Sequence, residues 1–281
     1  MNQFKDRVAV ITGGASGLGR AMALRFAREG MKVVLADIEQ TALDATLREF
    51  RDSGYDAVGV RCDVALGDDV EQLAEKALST FGSVHVVCNN AGVAPGGRVW
   101  EHTVKEWEWA LGVNVWGVIN GVRVFTPILL KQGTEGHIVN TASVAGLLSL
   151  PGMGIYCLTK HAVVTLTESL HHDLVETGEL VRCSLLCPAY VPTRISDSER
   201  NRPAHLRDAR PKSEEDLARE AQLRHAVQSG RISAEQVAER VFEAVRERRF
   251  YILPHQKIKP AIETRLQDIL LERDPTNTLR R

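Results

Sequence analysis

An excess of charge of one sign is missing. The 281 residues carry 35 basic and 36 acidic side chains, a formal net charge of -1, so the chain lacks the electrostatic footprint of a nucleic-acid binder and no such partner is expected. No run of about 18 consecutive apolar residues occurs, which removes the expectation of a membrane span. Met1 to Arg7 contains no apolar signal core before the first apolar run. Cysteine is scarce: Cys62, Cys88, Cys157, Cys183 and Cys187 fall mostly inside apolar runs. They read as small buried residues in a reducing, cytoplasmic setting. Cys183 and Cys187 have no His/Cys cluster beside them, so no metal site is expected. Internal repeats and low-complexity segments are absent. What remains is a chain with 44% apolar residues, enough for a sizeable core.

The order of patterns is that of an α/β protein. Val8 to Thr12 is a short apolar run ending in glycines, as a strand buried on both faces would be. A helical stripe through Leu18, Met22, Leu24, Phe26 and Ala27 follows and stops at Gly30. Strands are predicted at Lys32–Asp37, Ala57–Cys62, Val84–Cys88, His137–Thr141, Val181–Leu186 and Phe250–Leu253. Helices are predicted between them over about 39–51, 68–81, 104–131, 155–176 and 234–247, the last opened by the capping box Ser233 to Gln236. This alternation predicts a single domain over 1–281: a Rossmann-type doubly wound parallel sheet of about seven strands. Within it, 188–232 is a charged, proline-punctuated excursion with a helix over 213–228, placed where a substrate lid belongs. A polar tail covers 271–281.

Thr12-Gly13-Gly14-Ala15-Ser16-Gly17-Leu18-Gly19 joins the first strand to the first helix. Glycine lets the backbone approach a phosphate, and the helix N-terminus offers unpaired N–H groups to a pyrophosphate. Asp37 ends the second strand, where an acid can bind ribose hydroxyls and repel a 2′-phosphate. No basic residue lies between Gly13 and Gly17 or directly after Asp37, so NAD is expected rather than NADP. Tyr156 and Lys160 stand four positions apart on a helix and share a face. An ammonium beside a phenol favours its ionised form, which suits proton chemistry. Asn114 is a poor mid-helix residue and calls for a local reason.

Taken together, these motifs resemble the short-chain dehydrogenase/reductase family over about 6–253. Thr12 to Gly19 is similar to its T-G-x-x-x-G-x-G loop, Cys62-Asp63-Val64 to its adenine contact, and Asn89-Asn90-Ala91-Gly92 to its N-N-A-G segment. Asn114, Ser143, Tyr156 and Lys160 match its catalytic tetrad, and Pro188 and Thr193 its P-x-x-x-x-T segment; Ala189 stands where the family usually has glycine. The resemblance implies an oxidoreductase in which Tyr156 is the acid/base and Lys160 lowers its pKa and holds the nicotinamide ribose. Ser143 would bind the substrate oxygen, and Asn114 would hold a proton-relaying water. It also implies that Gly13, Ser16, Gly17, Leu18, Gly19, Asp37, Asp63, Val64, Asn90, Ala91, Gly92, Pro188, Val191 and Thr193 contact the cofactor.

Small or apolar residues are expected around the reacting carbon: Val93, Ala94, Pro95, Ala145, Leu150, Met153 and Val191. They point to a hydrophobic or aromatic secondary alcohol and its ketone. Arg194, Arg200 and Arg202 could reach an acidic group on a substrate. Trp100, Trp107, Trp109 and Trp116 read as packing or interface residues, and the resemblance implies a homotetramer or homodimer. Two other functions compete: a nucleotide-binding regulatory protein without turnover, and a nucleotide-sugar epimerase or dehydratase. The filled tetrad argues against the first, and the glycine spacing with N-N-A-G against the second.

Overall fold

The structure is a computed structural model and describes residues 1, 3–178, 180–208 and 213–278. Pro211 of the excursion and the last three residues of the tail lie outside the described residues. Strand β1 (Val8–Thr12) is buried along its whole length. Ala9 and Ile11 pack into one core cluster, and Val8 and Val10 into another on the opposite face. Burial of a Val or Ile side chain is worth about 1.5–3 kcal/mol, so an uninterrupted apolar run is stable only where both faces are covered.

Around it lie α1 (Gly17–Arg28), β2 (Lys32–Asp37), α2 (Gln40–Asp52), β3 (Ala57–Arg61), α3 (Gly67–Phe81) and β4 (Val86–Asn89). Then follow α4 (Val104–Leu111), α5 (Gly117–Gln132), β5 (Gly136–Thr141), α6 (Gly154–Glu176), β6 (Val181–Leu186), α7 (Glu214–Gln228), α8 (Ala234–Glu247), β7 (Tyr251–Ile252) and α9 (Lys259–Leu270). The seven strands are parallel and ordered β3-β2-β1-β4-β5-β6-β7. The direction of winding reverses between β1 and β4, so the crevice for a ligand opens at the carboxyl ends of those two strands.

Four elements differ from the sequence reading. β4 begins at Val86 because Val84 is tied instead to α5: its N–H donates to Gln132 Oε1 at 2.9 Å and its carbonyl accepts from Gln132 Nε2 at 2.6 Å. The long helix expected over 104–131 is interrupted by a π-helical turn at Gly112–Trp116. β7 pairs with β6 through two residues only. α9 was not predicted, although Pro260 at its first turn and the spacing of Ile262, Leu266, Ile269 and Leu270 are helix signals. The 104–132 stretch is, among the described residues, long and apolar enough to cross a membrane by length and composition. Within it Val118, Phe125 and Leu129 are buried, and α5 packs against α3 and the sheet.

Candidate active site

The end of β1 is fastened to the end of β4 by one hydroxyl. Thr12 Oγ1 accepts from the N–H groups of Asn90 (2.9 Å) and Ala91 (3.1 Å), and Asn90 Nδ2 donates to the Thr12 carbonyl at 3.0 Å. Between them the glycine loop turns into α1, with Gly13 and Gly17 in the left-handed region at φ 63° and 52°. A Cβ at Gly19 would lie 2.0 Å from the Gly13 carbonyl oxygen, so the helix can pack on the loop only with glycine there. No side chain caps the start of α1, and its first N–H groups keep their capacity for an anion. That uncapped terminus fits a dinucleotide pyrophosphate.

Asp37 closes the next part of the site. Its Oδ2 accepts from Ala15 N and its Oδ1 from Glu39 N, each at 3.0 Å, which ties the loop to the end of β2. Burial raises its pKa, against the pull of those two N–H groups. The sequence reading found no cation beside it, but tertiary structure supplies one. Arg200 comes across from the 3₁₀ segment Ile195–Asn201 to pair with Glu39, and Asn201 Nδ2 donates to the same Glu39 oxygen at 2.9 Å. Arg200 also donates to the carbonyls of Arg194 (3.1 Å) and Asp197 (2.9 Å), so it knits the segment that it anchors. Asp63 holds its own turn by accepting from Ala65 N at 3.0 Å.

At the carboxyl ends of β4 and β5 the π turn acquires its reason. Asn114 is fully buried; its Oδ1 accepts from Val93 N (2.8 Å), and its Nδ2 donates to Val93 O (2.9 Å) and Thr159 Oγ1 (3.0 Å). The extra residue in the turn aims this amide at the N-N-A-G segment and α6. A Cβ at Gly92 would stand 3.3 Å from Asn114 Oδ1 and 3.5 Å from Lys160 Nζ, so glycine leaves the space between them open.

Lys160 donates to the Thr141 carbonyl at 3.0 Å, and burial lowers its pKa to about 8. Its Nζ lies 5.7 Å from the centroid of the Tyr156 ring. Burial pushes the phenol up to about 12, while the Ser143 hydroxyl draws it the other way. Burial thus outweighs the pull of Ser143 on the phenol, and the Lys160 ammonium donates to the Thr141 carbonyl rather than to Tyr156. Ser143 Oγ donates to Pro188 O (3.2 Å) and accepts from Ala145 N (3.1 Å).

These parts face one cavity of about 580 Å³. Every residue assigned from the sequence to the tetrad, the cofactor contacts and the substrate contacts Ala145, Leu150 and Met153 lines it except Gly19 and Asn114, which pack on the lining residues Gly13 and Val93. Arg194 and Arg200 line it, but Arg202 does not. Arg202, within the excursion, is buried, bonded to Asp208 Oδ2 at 3.0 Å and placed over the Trp109 ring at 5.4 Å, so its proposed reach to a substrate acid is corrected. Pro95 is likewise absent from the wall. The sequence reading missed Glu39, Leu148, Tyr190, Leu206, Leu223 and Ile258, which also line the cavity. Their elements are brought together only by the fold, and no local spacing announces them.

The sequence model of the short chain dehydrogenases matches residues 7–204. The chain belongs to the short-chain dehydrogenase/reductase family. This dehydrogenase/reductase is similar to a solved short chain dehydrogenase/reductase from Burkholderia phymatum in complex with NAD, with 53% identity, a TM-score of 0.98 and 99% of each chain covered. It is 34% identical to a CLA biosynthesis dehydrogenase/reductase of Lactiplantibacillus plantarum, over 98% of this chain and 97% of the relative. It is also 30% identical to a C alpha-dehydrogenase of Sphingobium sp. (strain NBRC 103272 / SYK-6), over 100% of this chain and 92% of that protein.

Proposed function

We propose that this oxidoreductase interconverts a hydrophobic or aromatic secondary alcohol and its ketone with NAD. The observation that carries the reading is that Ser143, Tyr156 and Lys160 share one cavity with the glycine loop and Asp37. NAD supplies the hydride acceptor. Tyr156 takes the proton of the substrate hydroxyl as the carbinol C–H bond breaks, and Ser143 fixes the substrate oxygen by a hydrogen bond. Lys160, buried with its Nζ 5.7 Å from the centroid of the Tyr156 ring, would favour the phenolate against the burial of the phenol and carry protons onward. Because the Asn114 side chain is already committed to Val93 and Thr159, a relay water would be held by its backbone carbonyl.

The preference for NAD rests on Asp37, whose carboxylate disfavours a 2′-phosphate, with Arg200 beside it held by Glu39. The NAD-bound relative from Burkholderia phymatum supports it. The substrate class rests on the apolar outer wall, with Leu148, Leu150, Met153, Leu206 and Leu223, and on relatives named as a C alpha-dehydrogenase and a CLA biosynthesis dehydrogenase/reductase. The 188–232 excursion would act as the lid, and the exposed Trp100 and Trp116 would contribute to a homotetramer or homodimer. Screening NAD reduction against a panel of aliphatic and aryl secondary alcohols tests the reading. Tight NADH binding without turnover of any alcohol would favour a silent nucleotide-binding protein instead.

A further inference from the structure

The peptide unit between Pro188 and Ala189 is held at both edges. Its carbonyl accepts from Ser143 Oγ at 3.2 Å and from Val144 N at 3.0 Å. Its N–H, on the opposite edge, donates to His255 Nδ1 at 3.1 Å. A peptide is planar, so its C=O and N–H cannot be turned independently. Whatever fixes the N–H therefore fixes the acceptor for the Ser143 hydroxyl. His255 follows β7, outside the family's motif residues, and Ala189 is where the family pattern usually carries glycine. The ring is partly buried, and its Nε2 is buried without a hydrogen-bond partner, so Nδ1 makes its polar contact.

We propose that His255 is a positioning residue for Ser143, acting through the Pro188–Ala189 peptide plane, and that it does so only in its neutral form. Resting on the dehydrogenase reading above, this adds a third layer behind the serine. Neutral imidazole with its proton on Nε2 presents a lone pair at Nδ1; imidazolium presents N–H groups at both nitrogens and would oppose the Ala189 N–H. Burial lowers the His255 pKa below its ordinary value and Arg240 on α8 adds to this, while the Tyr190 backbone favours the charged form. The contact is thus kept at neutral pH and lost in acid. Protonation frees the peptide to rotate, and the Ser143 hydroxyl loses its fixed acceptor.

The test compares wild type, His255→Ala and His255→Asn, since an Asn carbonyl can accept from Ala189 N at any pH. In wild type the alcohol kcat should show an acid limb, and hydrogen exchange of the peptide spanning Ala189 should rise, beyond the intrinsic pH dependence, over the same range. His255→Ala should lower kcat about tenfold, the scale of a small misplacement, with NADH affinity within about twofold because the cofactor contacts are elsewhere. His255→Asn should restore kcat and flatten the excess exchange, while the part of the acid limb that belongs to Tyr156 stays. Unchanged kcat and exchange in His255→Ala, or acid-dependent excess exchange that persists in His255→Asn, would overturn the assignment. If no alcohol turns over in wild type, the proposed function fails, while the exchange measurements still decide whether His255 holds the loop.

Discussion

Lys160 gives its ammonium to the carbonyl of Thr141, the last residue of β5, across 3.0 Å. One strand end thus fixes the cation of the proposed Tyr156–Lys160 pair, and the fold bears the cost of burying it. Burial brings Lys160 from 10.5 to about 8, which corresponds to roughly 3 kcal/mol of desolvation at neutral pH. Below about pH 8 the group is charged in both folded and unfolded chains and the cost is fully present. Between there and its unfolded value the unfolded chain holds more protons, so stability from this group rises with pH. Lys160→Met should therefore abolish turnover yet raise the melting temperature at pH 7. The net gain should be about 1–2 kcal/mol after loss of the bond to Thr141, and it should fade by pH 10.5. Thermal scans at the two pH values check the sign.

Tyr156→Phe removes the proton acceptor while leaving the ring in place. We expect a loss of about 10²- to 10⁴-fold in kcat with NADH binding unchanged, measured by steady-state kinetics beside a fluorescence titration. Near-normal turnover would remove Tyr156 from its assigned role.

Gly92→Ala places a methyl group 3.3 Å from Asn114 Oδ1 and 3.5 Å from Lys160 Nζ. The neighbours must give by a few tenths of an ångström, so the fold should survive. Displacement of the proton-transfer groups should lower kcat by up to about 10²-fold. Equal losses of kcat and melting temperature would instead point to general destabilisation.

Asp37→Asn keeps an acceptor for only one of the Ala15 and Glu39 N–H groups and removes the charge that would face the ribose. The ratio of kcat/KM for NADP to that for NAD should rise about tenfold, an electrostatic change of about 1.4 kcal/mol. An unchanged ratio would place the discrimination elsewhere.

Arg200→Ala separates the 3₁₀ segment from Glu39. Partly exposed ion pairs contribute only about 0–1 kcal/mol to stability, so the melting temperature should hardly move. The segment borders the cofactor cavity, however, and NADH dissociation in stopped flow should accelerate about tenfold once Arg200 no longer knits it. An unchanged dissociation rate would separate that ion pair from cofactor retention.

What could be read beforehand was local in the chain. The β1–α1 loop, Asp37 and the Tyr156–Lys160 pair announce themselves within one or two elements, because glycine conformations, strand ends and helical spacing are short-range properties. Asn114 was legible as an anomaly of helix propensity, and the π turn with its bonds to Val93 and Thr159 is the reason. Arg200 meets Glu39 across 161 positions, and His255 meets Ala189 across 66. No periodicity encodes such distances. The direction of the Tyr156 shift was also out of reach, because it depends on burial rather than on which residues are neighbours in sequence.

The reversal of winding between β1 and β4 divides the labour of the enzyme. Loops after β1, β2 and β3 supply the glycine turn, Asp37 and Asp63, whereas those after β4, β5 and β6 supply Gly92, Ser143 and Pro188. In the proposed reading, recognition of the adenosine half of the dinucleotide belongs to the first set of loops, and the nicotinamide end and the alcohol to the second. The two preferences can be altered separately, and Arg200 with Glu39 is a seam where a change on one side would be felt on the other.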